Sequence, residues 1–428
     1  MSSWGGAGVG STGAALVDRK SYKAGAVFIA IGLVQLLFFG IFGRQAEVGF
    51  ELSRPDRDLI QLPVLQISSA AFGAFVGVVL VILGCVSLVL AKRNRSTPRW
   101  AITLISLLAV LGMLGWLAAG KTVPLIFIFG TALVLSIPIM LGAMAGVMSE
   151  RVGVVNIAIE GQLLSGAFTG AVVGSITDNL ILALVAAMIV GALFSTVLAV
   201  FAVRFLAQQI IVGVVLNVLA IGITNFLYQQ WLSGNAEDVN FPGTLEILKI
   251  PLLGDIPLIG PILFENRLTV FLALAIVAVL WFVLFKTKLG LRARAVGEHP
   301  LAADTVGIDV GRTRFWWVTI GGAVAGLGGA ALTVGNAGAF GKEMSNGYGF
   351  IALAVVILGR WHPIYAAAAA LLFGFAIILR IWANTANPGI PTDFIGMVPY
   401  LVTLIAVVGF VGRTRPPAAD GIPYEKSH

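Results

Sequence analysis

Apolar stretches of about the length of a membrane span alternate with short polar connections along most of the chain. A helix needs about 20 apolar residues to cross the hydrocarbon core, and a window of about that length finds roughly twelve candidates. They lie near residues 24–42, 67–91, 100–120, 124–148, 153–177, 180–203, 207–232, 267–286, 314–336, 348–360, 363–382 and 396–412. The pattern predicts an all-α, polytopic transmembrane bundle. The short 348–360 segment is expected to be broken or re-entrant.

Composition and charge agree with a membrane protein. The 428 residues are 58% hydrophobic and 11% charged, against about 45–50% and about 25% in soluble domains. The net charge of +7 comes from cations in the short connections, so it indicates membrane topology and not nucleic acid binding. Most of the 27 Lys and Arg fall on one side if the N-terminus is cytoplasmic, which predicts that both termini are cytoplasmic.

The sequence offers little for catalysis or for a bound cofactor. Cys85 is the single cysteine, and the three histidines are scattered, so we expect no metal site. The run GNAGAFGKE from Gly335 has the wrong spacing for a phosphate-binding loop, and Glu343 stands where Ser or Thr is needed. No cofactor is expected on this chain.

One apolar stretch carries a charge. Within 153–177, Glu160 is the sole formal charge, and an acid there costs about 2.5 to 3.5 kcal/mol on insertion scales. Asn156 and Glu160 are spaced i, i+4, which predicts one shared helical face, and Gly161 is a point where the helix could break. These two residues, with Gly161 and Gln162, are predicted to line a pathway. The alternative is that Glu160 is a buried structural anchor, paired to an Arg or to backbone.

A second polar stripe and a glycine ladder accompany that stretch. Asn217, Thr224 and Tyr228 recur at helical spacing in the 207–232 span, and they either line the pathway or hold helices together. Gly166, Gly170 and Gly174 form a ladder of small residues. This ladder predicts a close approach by another helix.

Two connections are longer than the rest. Residues 233–266 carry acids among repeated prolines, so we predict an extracytoplasmic docking surface, with Glu237 and Asp238 in it. Residues 286–314 are predicted to be cytoplasmic and to contain a short helix after Pro300.

Three sequence blocks together resemble the permease subunits of bacterial ABC importers, in the superfamily of branched-chain amino acid, ribose and nucleoside permeases. Glu150–Phe168 (ERVGVVNIAIEGQLLSGAF) resembles the broken helix that lines the pathway, and Gly290–Ile308 (GLRARAVGEHPLAADTVGI) resembles the cytoplasmic coupling loop. Gly349–Pro363 (GFIALAVVILGRWHP) resembles the third signature. The nucleoside or simple-sugar subgroup is the nearer one.

The resemblance implies a function, partners and a set of coupling residues. The chain would be an importer's permease in the bacterial plasma membrane, with a separate ABC ATPase, a second permease subunit (a copy or a homologue) and an extracytoplasmic substrate-binding protein. The ATPase would be contacted through Arg292, Arg294, Gly297, Glu298, Pro300, Ala302, Ala303 and Gly307.

The predicted organisation places an extension before a permease core of about nine or ten spans. The segments are a cytoplasmic tail at 1–23, extra transmembrane helices at 24–123, the core at 124–413, the docking loop at 233–266, the coupling loop at 286–314 and a cytoplasmic tail at 414–428.

Other functions stay open at this point. An ion-coupled secondary transporter would use Glu160 as its proton carrier and would need no ATPase. Within the ABC interpretation, ribose, another simple sugar or a branched-chain amino acid are alternative substrates. A membrane enzyme is less well supported because no catalytic constellation is evident.

Overall fold

The computed structural model describes residues 20–386, except 44, 56, 59, 94, 96, 98 and 235, together with 415–425. Helices dominate this part of the chain. They are α1 Lys20–Val34, α2 Ser69–Lys92, α3 Arg99–Leu117, α4 Leu125–Glu150, α5 Ile159–Thr177, α6 Leu180–Val203, α7 Gln209–Leu227, α8 Ala236–Val239, α9 Leu268–Lys286, α10 Lys288–Glu298, α11 Pro300–Thr305, α12 Val310–Leu332, α13 Tyr348–Leu358 and α14 Pro363–Ala386.

Short π-helical turns and strands join these helices. The π-helical turns are Gln35–Ile41, Tyr228–Leu232, Gly260–Phe264 and Thr333–Ala337. The strands are β1 Glu47–Glu51, β2 Leu65–Ser68, β3 Thr122–Pro124, β4 Ile247–Lys249 and β5 Glu265–Arg267. The predicted helix after Pro300 is present as α11.

Seven helices in the described part of the chain are long and apolar enough to cross a membrane. They cover Ser69–Lys92, Leu125–Glu150, Leu180–Val203, Gln209–Leu232, Leu268–Lys286, Val310–Ala337 and Pro363–Trp382. The predicted count of about twelve is not confirmed. Helix α5 is rich in glycine and polar residues, α13 has only 11 residues, and the predicted span at 396–412 lies outside the described residues.

The chain divides into two compact units. The first comprises residues 1–50 and 65–123, and in its described part α2 packs against α1 and α3 around Phe28, Val76 and Leu80. Its antiparallel strands β1 and β2 pair Glu47 with Ser68 and Phe50 with Leu65.

The second unit comprises residues 51–64 and 124–428. Its centre is α12, which packs against α4, α5 and α6, while α14 packs along α4. The glycine ladder of α5 does permit close approach: a Cβ at Gly166 would overlap the backbone of Gly326 on α12, and one at Gly170 would lie 3.3 Å from the Ala330 side chain. The small residues therefore bring α5 against α12, as expected.

Candidate translocation and coupling site

A non-helical segment separates α4 from α5. Helix α4 ends at Glu150 and α5 begins at Ile159, and between them residues 151–153 and 157–158 form turns while 154–156 are irregular. Gly153 lies there at φ +85°, a conformation that glycine adopts without steric cost. The break predicted at Gly161 is therefore in the wrong place, because Gly161 lies inside the first turn of α5. The predicted shared face is also wrong, because Asn156 precedes the helix that carries Glu160.

Side chains from α7 satisfy the backbone of this break. The amide of Asn217 donates to the Ile157 carbonyl and accepts from the Gly161 N–H, both at 2.8 Å. The Val155 N–H donates to Gln209 Oε1 at 2.8 Å. Irregular backbone at membrane depth needs such partners, so Asn217 holds the two sides of the break together.

Asn156 and Gln162 pair with each other inside the protein. Asn156 Nδ2 donates to Gln162 Oε1 at 3.3 Å, and Gln162 Nε2 donates to Asn156 Oδ1 at 3.2 Å. Both side chains are fully buried. The pair links the break to the first turn of α5.

Glu160 receives three hydrogen bonds at the start of α13. Its Oε1 accepts from Ser345 Oγ at 2.6 Å and from the Gly347 N–H at 2.9 Å, and its Oε2 accepts from the Gly349 N–H at 2.6 Å. A Cβ at Gly349 would overlap the Glu160 backbone nitrogen, so the first turns of α5 and α13 meet closely. These are the contacts of a structural anchor, made through serine and backbone N–H groups and not through arginine.

The remaining two predicted lining residues differ in accessibility. The Thr224 hydroxyl is buried and donates to the Ala220 carbonyl of its own helix at 2.7 Å. Tyr228 is half-buried, with its ring 6.1 Å from that of Phe340 and 5.3 Å from Lys342 Nζ. Of the seven predicted pathway residues, Tyr228 is therefore the accessible one.

A polar group that the sequence did not single out lies one turn from Tyr228. Asn225 Nδ2 donates to Glu343 Oε1 at 3.0 Å. Its other amide atom, Oδ1, is buried and has no hydrogen-bond partner in the described part of the structure. Asn225 lies in the predicted 207–232 span, but it does not belong to the helical spacing of Asn217, Thr224 and Tyr228, so the sequence pattern did not identify it.

The predicted coupling loop folds as α10 and α11. Thr287 Oγ1 accepts from the Gly290 N–H at 3.3 Å at the start of α10. A Cβ at Gly297 would overlap the Arg151 carbonyl oxygen, so the end of α10 lies directly against the helix break. Gly307 has φ +82° and closes the turn after α11, as the sequence predicted.

The predicted coupling residues divide into exposed and packed ones. Arg292, Glu298 and Ala302 are exposed, Pro300 is half-buried, and Ala303 is buried. Arg294 lies over the Phe285 ring at 5.2 Å from its centroid, and Arg151 lies over the same ring at 5.8 Å. Burial lowers the pKa of Arg151; Glu298 raises it and Arg294 lowers it further. Leu301 and Val306, at 61% and 74% exposed, add an apolar surface beside them.

The predicted docking loop contains α8, the β4–β5 hairpin and two similar turns. Asp238 is exposed on α8, and the Glu237 side chain lies outside the described part of the structure. Residues 250–261 read IPLLGD and then IPLIGP, with Leu252 at φ +67° and Leu258 at φ +65°. Each leucine is the centre of a γ-turn, closed by Leu253 N–H to Pro251 O at 2.8 Å and by Ile259 N–H to Pro257 O at 2.7 Å. Such turns are strained.

An ion pair joins this loop to the segment 51–64, and each of the two also has an ion pair of its own. Arg54 Nη2 lies 2.8 Å from Asp58 Oδ1 and 2.6 Å from Glu265 Oε2. Within the loop, Lys249 Nζ lies 2.6 Å from Asp255 Oδ1. The 51–64 segment is thus part of the same surface, a contact that no sequence motif indicated.

The family described as "Branched-chain amino acid transport system / permease component" matches residues 128–407 of this chain. The chain belongs to this permease family. The guanosine ABC transporter permease protein NupQ of Bacillus subtilis is 43% identical to this permease over 308 residues, which are 69% of this chain and 95% of the relative. The nucleoside ABC transporter permease protein NupC of Lactococcus lactis is 38% identical over 70% of this chain and 97% of its own.

A sugar permease is also related. The putative glucose ABC transporter permease protein TsgC13 of Haloferax volcanii is 32% identical to this permease, over 65% of this chain and 89% of the relative. No solved structure matches the chain. The resemblance found from the three sequence blocks is confirmed, and this permease is a membrane transport subunit.

Proposed function

We propose that this permease imports nucleosides, as the membrane subunit of an ABC importer that also contains an ATPase subunit and an extracytoplasmic substrate-binding protein. The observation that carries the proposal is the identity of 43% and 38% with permeases named for guanosine and nucleosides, over nearly their whole lengths. A second permease subunit, either a copy or a homologue, would complete the pathway.

The accessible cluster at the end of α7 suits a nucleoside. The half-buried ring of Tyr228, which packs against the buried ring of Phe340, offers an aromatic face for a base, and such stacking contributes about 1–3 kcal/mol per base in nucleic-acid sites. Two exposed charged side chains lie there as well: Lys342, whose Nζ lies over the Tyr228 ring, and Glu343, which accepts a hydrogen bond from Asn225 Nδ2. A few convergent polar groups next to aromatic walls are typical of small-molecule sites.

The other six predicted lining residues do not face the pathway but stabilise the elements around it. Asn156, Glu160, Gly161, Gln162, Asn217 and Thr224 are buried and bonded to one another, to α13 or to their own helix. We propose that they fix the break and the start of α13. The cluster around Tyr228 would then contact the substrate.

Force would enter through α10 and α11. Their exposed charges and the apolar pair Leu301 and Val306 form the proposed contact with the ATPase, and the approach of Gly297 to Arg151 carries movement to the break. ATP would be bound by the ATPase alone.

The experiment is uptake by the assembled complex in proteoliposomes. Labelled guanosine should enter only with ATP and binding protein present, and unlabelled glucose in excess should not compete. Uptake driven by a pH gradient without ATP would replace the proposal with the secondary-transporter alternative.

Simple sugars are the second candidate, because the relative TsgC13 is named as a putative glucose permease. Competition by glucose but not by guanosine would favour them. Tyr228→Ala separates the two further, since loss of a stacking face should raise the KM for a nucleoside by about tenfold or more, while Tyr228→Phe should keep it.

A further inference from the structure

Residues 415–425, here called the C-terminal strap, lie across the coupling helix α10. The Ala419 N–H donates to the Gly297 carbonyl at 2.9 Å, and the Ala418 N–H donates to Glu298 Oε2 at 3.2 Å. Gly297 and Glu298 end α10. The strap is therefore bonded to the end of the helix that approaches the break.

The strap also touches the break itself. A Cβ at Gly153 would lie 2.8 Å from the Ala419 carbonyl oxygen, and one at Gly421 would lie 3.3 Å from Val155 Cγ2. Tyr424 packs against the buried cluster that contains Val152 and Val154. One short segment thus contacts both the coupling helix and residues 152–155.

A buried arginine fixes the strap to α12. Arg314 is 2% exposed, and its Nη1 donates to the Ile422 carbonyl at 2.9 Å. In the described part of the chain, its Nε and Nη2 have no hydrogen-bond partner, and no carboxylate lies within salt-bridge distance of it. Burying an arginine is costly unless its donors are satisfied, so the strap supplies a contact that α12 itself lacks.

We propose that the C-terminal strap is a positioning element for energy coupling, which holds α10 on the helix break so that movement of α10 reaches α5. The inference rests on the proposed function, because it assumes that α10 receives force from an ATPase. Apart from the strap, α10 contacts the break in two ways. Gly297 lies against the Arg151 carbonyl oxygen, and Arg294 and Arg151 both lie over the Phe285 ring. With it, α10, the break and α12 are tied at one place.

Two neighbouring alanines provide a matched test. Ala419 is 5% exposed between Gly153 and Gly297, whereas the Ala418 side chain is exposed. Ala419→Phe should lift the strap, and Ala418→Phe adds the same ring facing solvent. Uptake and ATP hydrolysis are measured together on the full complex in proteoliposomes, starting with the wild type.

We expect Ala419→Phe to lower the amount of nucleoside imported per ATP hydrolysed by about tenfold, within the usual range of coupling energies, while hydrolysis continues. Ala418→Phe should keep the wild-type ratio. A milder variant, Gly421→Ala, adds one methyl group at φ +75° and should lower the same ratio less. Gly421→Ala is the variant to use if Ala419→Phe does not accumulate in the membrane.

An unchanged ratio in Ala419→Phe and Gly421→Ala would overturn the inference. So would a proportional fall in uptake and hydrolysis, because that is the result of a strap that only stabilises the assembly. If the wild type itself shows no ATP-driven uptake, the proposed function fails and this inference fails with it. The measurement on the wild type therefore distinguishes failure of the proposed function from failure of the strap inference alone.

Discussion

Glu150 and Glu160 stand on opposite sides of the helix break, and their surroundings differ. Glu160 lies in the first turn of α5 and accepts three hydrogen bonds at the start of α13. Glu150 is the last residue of α4, and one donor reaches it, the indole N–H of Trp361, in the described part of the chain. A carboxylate is favoured at a helix N-terminus and disfavoured at a C-terminus. Two equally buried acids thus have opposite local electrostatics.

The largest effect should come from removing the Glu160 carboxylate. Glu160→Ala leaves the Gly347 and Gly349 N–H groups and the Ser345 hydroxyl without their acceptor, and hydrogen bonds to a charged group contribute about 1.5–3 kcal/mol each. We expect a loss of stability of about 3 kcal/mol or more, measured as the melting temperature of the detergent-solubilised protein.

Glu160→Gln sharpens that result. It keeps one acceptor oxygen and removes the titratable proton, so part of the stability and of the ATP-driven uptake should survive. The contrary result would be wild-type uptake that depends on a pH gradient and Glu160→Gln uptake that does not. That result would contradict the anchor role and restore the proton-carrier alternative.

The next largest effect should be at Asn217, on the far side of the break. Asn217→Leu removes the partner of both the Ile157 carbonyl and the Gly161 N–H, and each buried group left unpaired costs about 1–3 kcal/mol. We expect about 2–4 kcal/mol of destabilisation in the same melting experiment.

Thr224→Val on the same helix is the control for Asn217. The Thr224 hydroxyl bonds to carbonyls of its own helix at Ala220 and Ile221, so the cost should stay below about 1 kcal/mol. Equal losses in the two variants would mean that Asn217 does not hold the break.

The sequence predicted the helices better than it predicted the site. The apolar run at 180–203 coincides with α6, Leu180–Val203, because burial in a membrane leaves a continuous signal. The break was expected at Gly161 and lies around Gly153, since no local pattern shows that the Asn217 amide will occupy the Gly161 N–H. Glu150 was passed over because its partner Trp361 is distant in sequence.

Glu150→Gln should have a small effect, in contrast to Glu160→Gln. A glutamine carbonyl can still accept from the Trp361 indole, and glutamine has nearly the size of glutamate, so the packing at the C-terminus of α4 is kept. We expect a change in stability within about 1 kcal/mol, and Trp361→Phe should cost about 1 kcal/mol for the lost bond. A loss at Glu150→Gln as large as at Glu160→Gln would remove the distinction between the two acids.

The last prediction concerns pH, and its effect is confined to the C-terminal strap. Burial raises the pKa of Asp420 to about 7, although Arg314 and the backbone N–H of Gly421 act in the opposite direction. The ionisable groups that face it are Arg314 on α12 and Glu150 on α4. The docked strap therefore holds a proton that a released strap, with an ordinary aspartate, would lose.

The sign follows from the raised pKa. Docking of the strap is strongest below the ordinary aspartate pKa near 4 and weakens as the pH rises to about 7. The equilibrium constant for docking falls by at most about tenfold per pH unit. Hydrogen exchange of the Ala418 and Ala419 amides, corrected for its intrinsic pH dependence, should show more protection at pH 5 than at pH 8. Asp420→Asn should remove that difference, because the amide stays neutral, and a difference that persists in this variant would assign the pH dependence to another group.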